Sequence, residues 1–229
     1  MASALGARLL EGDGADIPPG GEGLIRLARI DLSGLDPAVR GVRISAACDV
    51  DSPLVGPKGS ARMFGPQKGA TPKQVVMLER ALGHLAAVID RDLAVDVRSM
   101  PGGGAAGGLG AGLVAFLGAR LRSGTSLVLE SVGFAERLAN ADLVVTGEGA
   151  VDASSFTGKV VGAVVDATRS ARLPILVLCG RADARPPGVP VATLLERFGA
   201  DRSLGDARLA LEDLAAEVAA RAETLAFAP

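Results

Sequence analysis

The C-terminal part of the sequence alternates short apolar runs with helix-like segments. From Ala141 onward it contains ADLVVTG, KVVGAVVDATRSA, PILVLCG and VPVATLL, in that order. The strand-like runs are apolar along almost their whole length, which is typical of parallel strands that are buried on both faces. The pattern therefore predicts an α/β fold in which helices cover both faces of a parallel sheet.

The predicted sheet is small. About three strands can be identified, whereas a complete doubly wound sheet has roughly five or six. A final helix, from about Leu204 to Leu225, carries Leu209, Leu214 and Val218 on one side and is predicted to cover one face of the sheet. We therefore expect that part of the sheet is absent from this chain.

The N-terminal half contains a helix whose first residues can be assigned from sequence. Thr71 is the predicted N-cap, Pro72 the first helical residue and Gln74 the capping-box partner of Thr71. Apolar residues then recur at helical spacing, which predicts a buried face: Val75, Leu78, Leu82, Leu85 and Ile89. Upstream, ASALGARLL indicates the later turns of a helix, GLIRLARIDLSGLDP a short helical or extended segment, and VRISAACDV a strand.

Composition and charge exclude several classes of function. The 229 residues carry a formal net charge of -2, with no Trp or Tyr and six Phe, so a nucleic-acid partner is not expected. No signal peptide follows Met1, and the uncharged run from Ser99 to Ala119 contains eight glycines, so a membrane span is not predicted either. Cys48 and Cys179 lie far apart in apolar segments, which predicts small buried thiols in a reducing, cytoplasmic setting.

Lysine is rare and unevenly distributed. Of 24 basic residues only four are lysines: Lys58, Lys68, Lys73 and Lys159. Three of them lie in or beside PKGSARMFGPQKGATPK, and the fourth ends TGEGAVDASSFTGK. An ammonium group beside glycines and hydroxyls at the start of a helix suits a phosphate group. Lys68 and Lys159 are therefore candidate phosphate-binding residues, although solvated loop lysines would give the same pattern.

Two acidic pairs follow predicted strands. Asp49 and Asp51 lie at the end of the strand predicted in VRISAACDV, and Glu148 and Asp152 come after the strand predicted in ADLVV. Ligands of open α/β sheets collect at the carboxyl ends of strands. Phosphoryl transfer needs carboxylates there, which hold Mg²⁺ and accept the proton of the attacking hydroxyl. Turn capping is the simpler explanation of each acid taken singly, but their combination with the lysines favours phosphoryl chemistry.

Standard nucleotide-binding motifs are absent or incomplete. A P-loop is excluded, because Ala153 occupies the position of its first Gly and Val160 that of its Ser or Thr. Gly102, Gly104 and Gly107 spell G-x-G-x-x-G, but RSMP precedes them where a strand should stand. Close helix packing and a loop that cradles phosphate explain these glycines equally well.

Three blocks of the sequence resemble the bacterial glycerate kinases of the first type. They are CDVDSPLVGPKGSARMFGPQKGATP, GGGAAGGLGAGLVAFLGARLRSG and ADLVVTGEGAVDASSFTGK, in that order. GARLLEGDGADIPPGG and LARIDLSGLDP are also similar to this family. The resemblance therefore extends over most of the chain.

The resemblance implies a two-domain α/β fold with the active site in the cleft between the domains. Residues 1–140 would form most of an inserted α/β domain, and residues 141–229 the C-terminal part of an incomplete Rossmann-like parallel sheet with helices on both faces. The implied activity is transfer of the γ-phosphoryl group of ATP, with Mg²⁺, to a hydroxyl of D-glycerate. The usual acceptor in the family is the 2-hydroxyl, which gives 2-phosphoglycerate.

Candidate site residues follow from this hypothesis. The candidate catalytic residues are Asp49, Asp51, Lys68 and Lys159. The candidate metal ligands are Glu148 and Asp152. The candidate substrate- or phosphate-binding residues are Gln67, Gly103, Gly104, Gly107, Gly108, Thr146, Gly147 and Gly149. The two lysines would contact phosphate or the substrate carboxylate, and one of the first two acids would be the base or an acid linked to the metal.

The sequence departs from the family pattern in several places. Ser52 stands where the family usually has Asn, and Ala150 and Ser154 stand where it commonly has Arg or another side chain and Gln. RADARPPG replaces a loop of smaller residues. Family members are also considerably longer and carry, ahead of the point where this chain starts, the first half of the Rossmann-like sheet. We therefore expect a chain that is truncated or that starts at an internal Met.

Two alternative hypotheses stay open at this point. The chain could be a non-enzymatic remnant that forms a homodimer through apolar surface exposed by missing strands. A weaker alternative is a dinucleotide-binding protein that uses the glycines between positions 102 and 107. A rise in melting temperature with Mg-ATP would argue against the first, and a larger rise with NAD would support the second.

Overall fold

The computed structural model describes residues 1–156 and 159–220. They form two compact units, one from Met1 to Gly124 and one that begins at Thr125. The predicted α/β fold class is confirmed, because both units combine helices with parallel strand pairs. The predicted division of domains after Asn140 stays a prediction. The motif positions Thr157 and Gly158, and the predicted helix end at Leu225, lie outside the described residues.

Residues 1–124, all of which are described, contain four short strands and three α-helices. The strands are β1 (Arg8–Leu10), β2 (Arg29–Asp31), β3 (Ser45–Ala47) and β4 (Arg120–Arg122). The helices are α1 (Ser60–Phe64), α2 (Pro72–Leu93) and α3 (Ala105–Leu117). Strands β1 and β2 pair antiparallel, and strands β3 and β4 pair parallel. The strand that the sequence predicts at VRISAAC is therefore present as β3.

Helix α2 begins at the predicted residue. The Thr71 hydroxyl accepts a hydrogen bond from the Gln74 N–H at 3.4 Å, and Gln74 Oε1 accepts one from the Thr71 N–H at 2.8 Å. This reciprocal pair is the capping box that the sequence predicts. Although α2 has 22 residues, neither it nor any other helix in the described ranges is long and apolar enough to cross a membrane.

The buried face of α2 forms the centre of the first core. It consists of Ala81, Leu82, Ala86, Val88 and Ile89. Residues from many parts of the unit pack in the same cluster, including Leu27, Leu54, Val97, Ala111 and Phe116. Because the apolar residues recur every three or four positions, one face of the helix can be buried while the other stays in water.

The helix predicted for the first ten residues is not present. ASALGARLL is expected to be helical, yet it forms a 3-10 turn, Ala2–Leu5, followed by strand β1. Gly6 ends the turn in a left-handed conformation with φ of 93°. A Cβ atom at Gly6 would lie 2.0 Å from the carbonyl oxygen of Gly34, so a close approach between two chain segments requires glycine here. Helix propensity alone does not reveal this tertiary contact.

The second unit is built around parallel strands. The helices are α4 (Gly124–Ser131), α5 (Phe134–Leu138), α6 (Val160–Ser170), α7 (Leu194–Gly205) and α8 (Ala207–Ala220). The strands are β5 (Val144–Thr146), β6 (Ala150–Val151), β7 (Ile175–Cys179), β8 (Arg181–Ala182) and β9 (Val191–Thr193). Strands β5, β7 and β9 pair in that order, all parallel, and β6 pairs parallel with β8.

Helices cover both faces of the three-stranded sheet. Val177 and Cys179 of β7 belong to the core that contains Val161, Val164 and Val165 of α6. The next cluster is formed by Leu194, Ala210 and Leu214 of α7 and α8, together with Leu178 of β7. Since successive residues of a strand point to opposite faces, α6 covers one face and α7 and α8 cover the other. The wholly apolar strands predict this arrangement.

The last helix predicted from sequence is present as α8, which begins at Ala207 rather than at about Leu204. Helix α7, which precedes it, was not predicted, and a non-helical backbone at Asp206 separates the two helices. Helix α7 begins after Thr193, whose hydroxyl accepts a hydrogen bond from the Glu196 N–H at 3.1 Å. Leu214 is buried as predicted, whereas Leu209 is 41% exposed.

The capping box generates a stability prediction. Thr71→Ala should lower the free energy of unfolding by about 1 kcal/mol, because the N–H of Gln74 loses its acceptor. Thr71→Ser keeps a hydroxyl at the same position and should stay within about 0.5 kcal/mol of the wild type. Urea denaturation of the three proteins measures the difference. Equal stability of the Ala and Ser variants would contradict the capping role.

Candidate functional site

The loop after β6 folds around the carboxylate of Asp152. Its Oδ1 atom accepts hydrogen bonds from the Ser154 hydroxyl at 2.6 Å, the Ser154 N–H at 2.7 Å and the Ser155 N–H at 3.2 Å. The Ser155 hydroxyl in turn accepts a hydrogen bond from the Asp152 N–H at 3.0 Å. The hydroxyl-rich composition of TGEGAVDASSFTGK thus holds one carboxylate in a fixed position.

Lys159 joins this cluster through a serine. Its Nζ atom donates a hydrogen bond to Ser154 Oγ at 2.6 Å, and Ser154 donates to Asp152. The hydrogen bond from the Ser154 hydroxyl lowers the pKa of Asp152 below its usual value, with further lowering from the Ser154 N–H and the positive charge of Lys159. Lys159 is the N-cap residue of α6. The structure therefore brings together two of the predicted site residues, Asp152 and Lys159.

Glu148 carries a buried carboxylate oxygen without a hydrogen-bond partner in the described ranges. Its Oε1 atom is buried, and no described residue donates a hydrogen bond to it. A buried carboxylate oxygen without a donor is costly, which makes this atom a candidate ligand of a bound cation. The side chain follows Gly147, whose Cβ position would lie 1.8 Å from the carbonyl oxygen of Leu178. The glycine at 147 is thus required by close packing of β5 against β7.

Glu148 also belongs to the wall of a large cavity. The cavity lies at the carboxyl ends of β5 and β7 and has a volume of about 920 Å³. Four predicted site residues contribute to its wall: Thr146, Gly147, Glu148 and Gly149. Its other walls come from α7 and α8, including Leu204 and Leu211, together with Arg181 and Cys179. Burial raises the pKa of the Cys179 thiol, so this cysteine stays protonated.

In the first unit, the predicted acids follow β3. Asp49 Oδ1 accepts a hydrogen bond from the Gly124 N–H at 2.8 Å, and Gly124 is the last residue of this unit. Asp49 and Asp51 are both exposed. Both carboxylates can therefore reach a solvent-borne ligand, and Asp49 is the one held in a defined position.

Lys68 lies in the wall of a second cavity, of about 660 Å³. It ends a 3-10 turn, Pro66–Lys68, and Gly69 follows with φ of 88°. Other polar groups in the wall come from Glu22, Ser60 and Gln74. Gln67 belongs to the same turn and is exposed, but it does not line the cavity. The predicted site residues Lys68 and Gly107 are brought together at this cavity.

The glycine-rich segment at the start of α3, residues 102–108, has a non-helical backbone at Ala106, Gly107 and Gly108, and its glycines serve two purposes. A Cβ atom at Gly104 would lie 2.3 Å from Pro53 O, one at Gly103 would lie 3.0 Å from Met100 O, and one at Gly108 would lie 3.0 Å from Leu54 Cδ1. Close packing therefore explains these three. Gly107 has a φ of 75°, and a Cβ atom added there would meet nothing within 4 Å. This glycine lines the cavity of the first unit.

The backbone of this segment is unusual for a second reason. Ala106, Gly107 and Gly108 all have positive φ values, 50°, 75° and 101°. Ala106 is not a glycine, so the left-handed conformation is strained there. Residues 94–104 contain no strand, so the structural context of a dinucleotide-binding fingerprint is not met by this G-x-G-x-x-G.

Sequence analysis missed several residues that shape these sites. Ser154 links Asp152 to Lys159, and the hydroxyl-rich loop was the signal that could have identified it. Glu79 Oε1 accepts a hydrogen bond from the Gly56 N–H at 2.6 Å and so fixes the loop that precedes α1. Leu204 and Leu211 line the larger cavity, but no local motif marks them. Their role depends on how α7 and α8 pack.

In the second unit, Glu148 and Asp152 are candidate ligands of a magnesium ion that a substrate would also hold. Among the described residues, no group of three or more His, Cys, Asp or Glu side chains is placed to hold a metal ion. Mg²⁺ is usually bound through one or two carboxylates together with substrate phosphates and water. Glu148, with its unpartnered oxygen, and Asp152 can supply those carboxylates.

Comparison with known proteins gives consistent results. The family model described as "Glycerate kinase family" matches residues 1–228. The chain is 47% identical over 180 residues to a glycerate kinase of Halalkalibacterium halodurans and 46% identical over 180 residues to a glycerate 2-kinase of Escherichia coli K12. Each alignment covers 79% of this chain and 47% of the relative, so the chain spans about half the length of these relatives.

A solved structure is similar as well. A crystal structure from Salmonella typhimurium LT2, named for glycerate kinase 2, superposes with a TM-score of 0.77 and 41% sequence identity. The match covers 96% of this chain and 60% of the Salmonella chain. The fold of nearly the whole described chain is thus shared with that protein.

The Asp152 cluster predicts an order of effects on one pKa. Ser154→Ala should raise the pKa of Asp152 towards its ordinary value by more than Lys159→Met does, because the hydroxyl hydrogen bond is the larger cause of the lowering. Carbon-13 NMR titration of the Asp152 carboxyl measures both shifts. A larger effect of Lys159→Met would show that charge, and not hydrogen bonding, dominates.

The lowered pKa of Asp152 also determines the direction in which the stability of the fold changes with pH. A carboxylate whose folded-state pKa lies below its unfolded-state value stabilises the fold above the unfolded-state pKa. This contribution is lost as the pH falls through the folded-state pKa. The stability of Ser154→Ala should therefore depend less on pH in that acidic range than the stability of the wild type.

Close packing at Gly104 predicts a steric penalty. Gly104→Ala should lower the free energy of unfolding by about 1–3 kcal/mol, because the new methyl group would overlap the carbonyl oxygen of Pro53. Gly12→Ala is the matched control, since nothing lies within 4 Å of a Cβ atom at Gly12. Thermal and urea denaturation measure both. A Gly104→Ala protein as stable as the control would disprove the close contact.

Proposed function

Since the chain belongs to the glycerate kinase family, we propose that it transfers the γ-phosphoryl group of ATP to a hydroxyl of D-glycerate. The acceptor we propose is the 2-hydroxyl, which gives 2-phosphoglycerate. The observation that carries the proposal is the linked group Asp152–Ser154–Lys159, which comes directly after β6, together with the unpartnered carboxylate of Glu148, which lies between β5 and β6. Positive charge, hydroxyls and carboxylates at a strand end are the groups that phosphoryl transfer requires.

In the second unit, Lys159 would bind an oxygen of the transferring phosphoryl group. An ammonium group has three N–H donors. Among the described residues, the hydrogen bond to Ser154 occupies one of them, which leaves donors for phosphate oxygens. The same hydrogen bond fixes the direction of a flexible side chain. Lys159 also caps α6, where the N-terminal helix dipole favours negative charge.

Glu148 and Asp152 would hold Mg²⁺ in this proposal. When bound, Mg²⁺ would neutralise the negative charge on the β- and γ-phosphate oxygens. The lowered pKa of Asp152 keeps this carboxylate ionised near neutral pH. Glu148 would contribute its unpartnered Oε1 or the second oxygen of the same carboxylate.

In the first unit, Asp49 or Asp51 would accept the proton of the attacking hydroxyl. Asp49 is the better-positioned base, because the Gly124 N–H holds one of its oxygens. Lys68 would bind the carboxylate of glycerate, since it is an exposed cation in the wall of the smaller cavity and, within residues 1–124, makes no ion pair. Gly107 lines the same cavity and would add a backbone contact, and Gln67, which precedes Lys68 outside the cavity wall, stays a candidate from sequence alone.

The glycerate hydroxyl oxygen forms a bond to the γ-phosphorus, and the bond from this phosphorus to the bridging oxygen of ATP breaks. ADP leaves with the electron pair, and the hydroxyl proton passes to the aspartate. Lys159 stabilises charge on the phosphoryl oxygens while the bond is broken.

A kinetic comparison of two lysines tests the proposal. The wild-type chain should release ADP in a manner that depends on D-glycerate and Mg²⁺. Lys159→Met should lower kcat by about 10²–10³-fold, because one donor to the transferring group is lost. Lys73→Met is the matched control, since this exposed lysine lies in the first turn of α2 and has no proposed role.

Two readouts separate folding from activity in this test. A coupled ADP-release assay reports turnover, and the melting temperature with Mg-ATP or D-glycerate reports binding to the folded protein. A folded protein that shows neither stabilisation nor glycerate-dependent ADP release would disprove the proposed function. Equal kcat values in the two lysine variants would remove Lys159 from the mechanism.

A further inference from the structure

The larger cavity of the second unit has features that the phosphoryl chemistry does not explain. Its volume is about 920 Å³, which is in the upper part of the roughly 300–1,000 Å³ range of small-molecule sites. Much of its wall is apolar, with Val145, Leu178, Leu194, Leu195 and Leu211 among the lining residues. A phosphate group or a metal ion would not fill such a volume.

Several of these apolar side chains remain exposed. Leu204, at the cavity, is 86% exposed, Val145 is 54% exposed, and Leu195 and Leu211 are 43% and 42% exposed. Single exposed apolar residues are common, but a group of them around one cavity marks a ligand or partner surface. The ligand should therefore present a broad apolar face.

The same cavity continues along the chain into the candidate phosphate-binding loop. Thr146, Gly147, Glu148, Gly149 and Ala150 line it. Asp152 follows two residues later, and its cluster contains Lys159. A ligand that carries phosphates at one end could place its apolar end in the cavity and its charged end at this loop.

We infer that this cavity receives the nucleoside part of the phosphoryl donor. A purine ring offers flat apolar faces to the walls formed by Leu204 and Leu211 and polar edges to backbone groups at the strand ends. The inference rests on the proposed function, because that function requires a nucleotide. It goes further by assigning the base and ribose to the cavity between the strand ends of β5 and β7 and the helices α7 and α8.

The cavity of the first unit is the alternative location. It is smaller, about 660 Å³, and the charged side chains of Lys68 and Glu22 belong to its wall. The Lys68 ammonium suits a small acid, and neither charge has a counterpart on a neutral nucleoside. One variant in each wall therefore distinguishes the two locations.

Adenosine is the appropriate probe, because it has no phosphate and does not need Mg²⁺. Its affinity is measured by ligand-observed NMR titration of the full chain. Leu211→Trp places a bulky side chain in the larger cavity and should weaken adenosine binding by at least about tenfold. Met77→Trp places the same bulk in the wall of the smaller cavity and should leave the affinity unchanged.

A second variant controls for the case in which Leu211→Trp does not fold. Leu204→Asp changes a residue that is 86% exposed, so the fold should tolerate it. The charge at the cavity should still weaken adenosine binding. Melting temperatures without ligand show whether each variant is folded.

The possible outcomes separate this inference from the proposed function. Absence of adenosine binding, or loss of binding only in Met77→Trp, overturns the inference, and so do unchanged affinities in both Leu211→Trp and Leu204→Asp. Glycerate-dependent ADP release together with any of these results would leave the kinase proposal intact. Adenosine binding that Leu211→Trp weakens, without any glycerate-dependent turnover, would support the cavity assignment and disprove the glycerate reaction.

Discussion

Parallel pairing of β5, β7 and β9 is the constraint on which the second unit depends. Parallel strands bring their carboxyl ends to one edge of a sheet, so the segments that follow them must also begin there. The loop with Glu148 follows β5, Arg181 comes directly after Gly180 at the end of β7, and α7 begins after Thr193 of β9. The cavity and the candidate phosphate-binding loop are both consequences of this one pairing pattern.

Local hydrogen bonding explains the two serines that follow Asp152. The hydroxyl of Ser154 and the N–H groups of Ser154 and Ser155 are directed at the Asp152 carboxylate, so these groups satisfy one another. Glu148 differs, because its buried oxygen has no donor among the described residues. A buried polar atom without a partner calls for an explanation, and a bound cation is the one we propose for Glu148.

Sequence patterns predicted the parts of this fold that local physics determines. The capping box at Thr71 and the apolar strands of the C-terminal unit depend on short stretches of sequence, and both were located correctly. The turn at Gly6 and the start of α7 were missed, because they depend on contacts with distant residues or on a single capping side chain. For the candidate site, sequence identified Asp152 and Lys159 but not the serine that joins them.

The side chain of Gln74 takes part in a helix cap and also in a cavity wall. Gln74 receives the hydrogen bond that fixes the first turn of α2, and it also contributes to the wall of the cavity that contains Lys68. Any attempt to re-engineer this cavity for a different ligand by changing Gln74 would therefore loosen the longest helix of the unit. Redesign should start from Met77 or Phe64, which line the same space without a role in the cap.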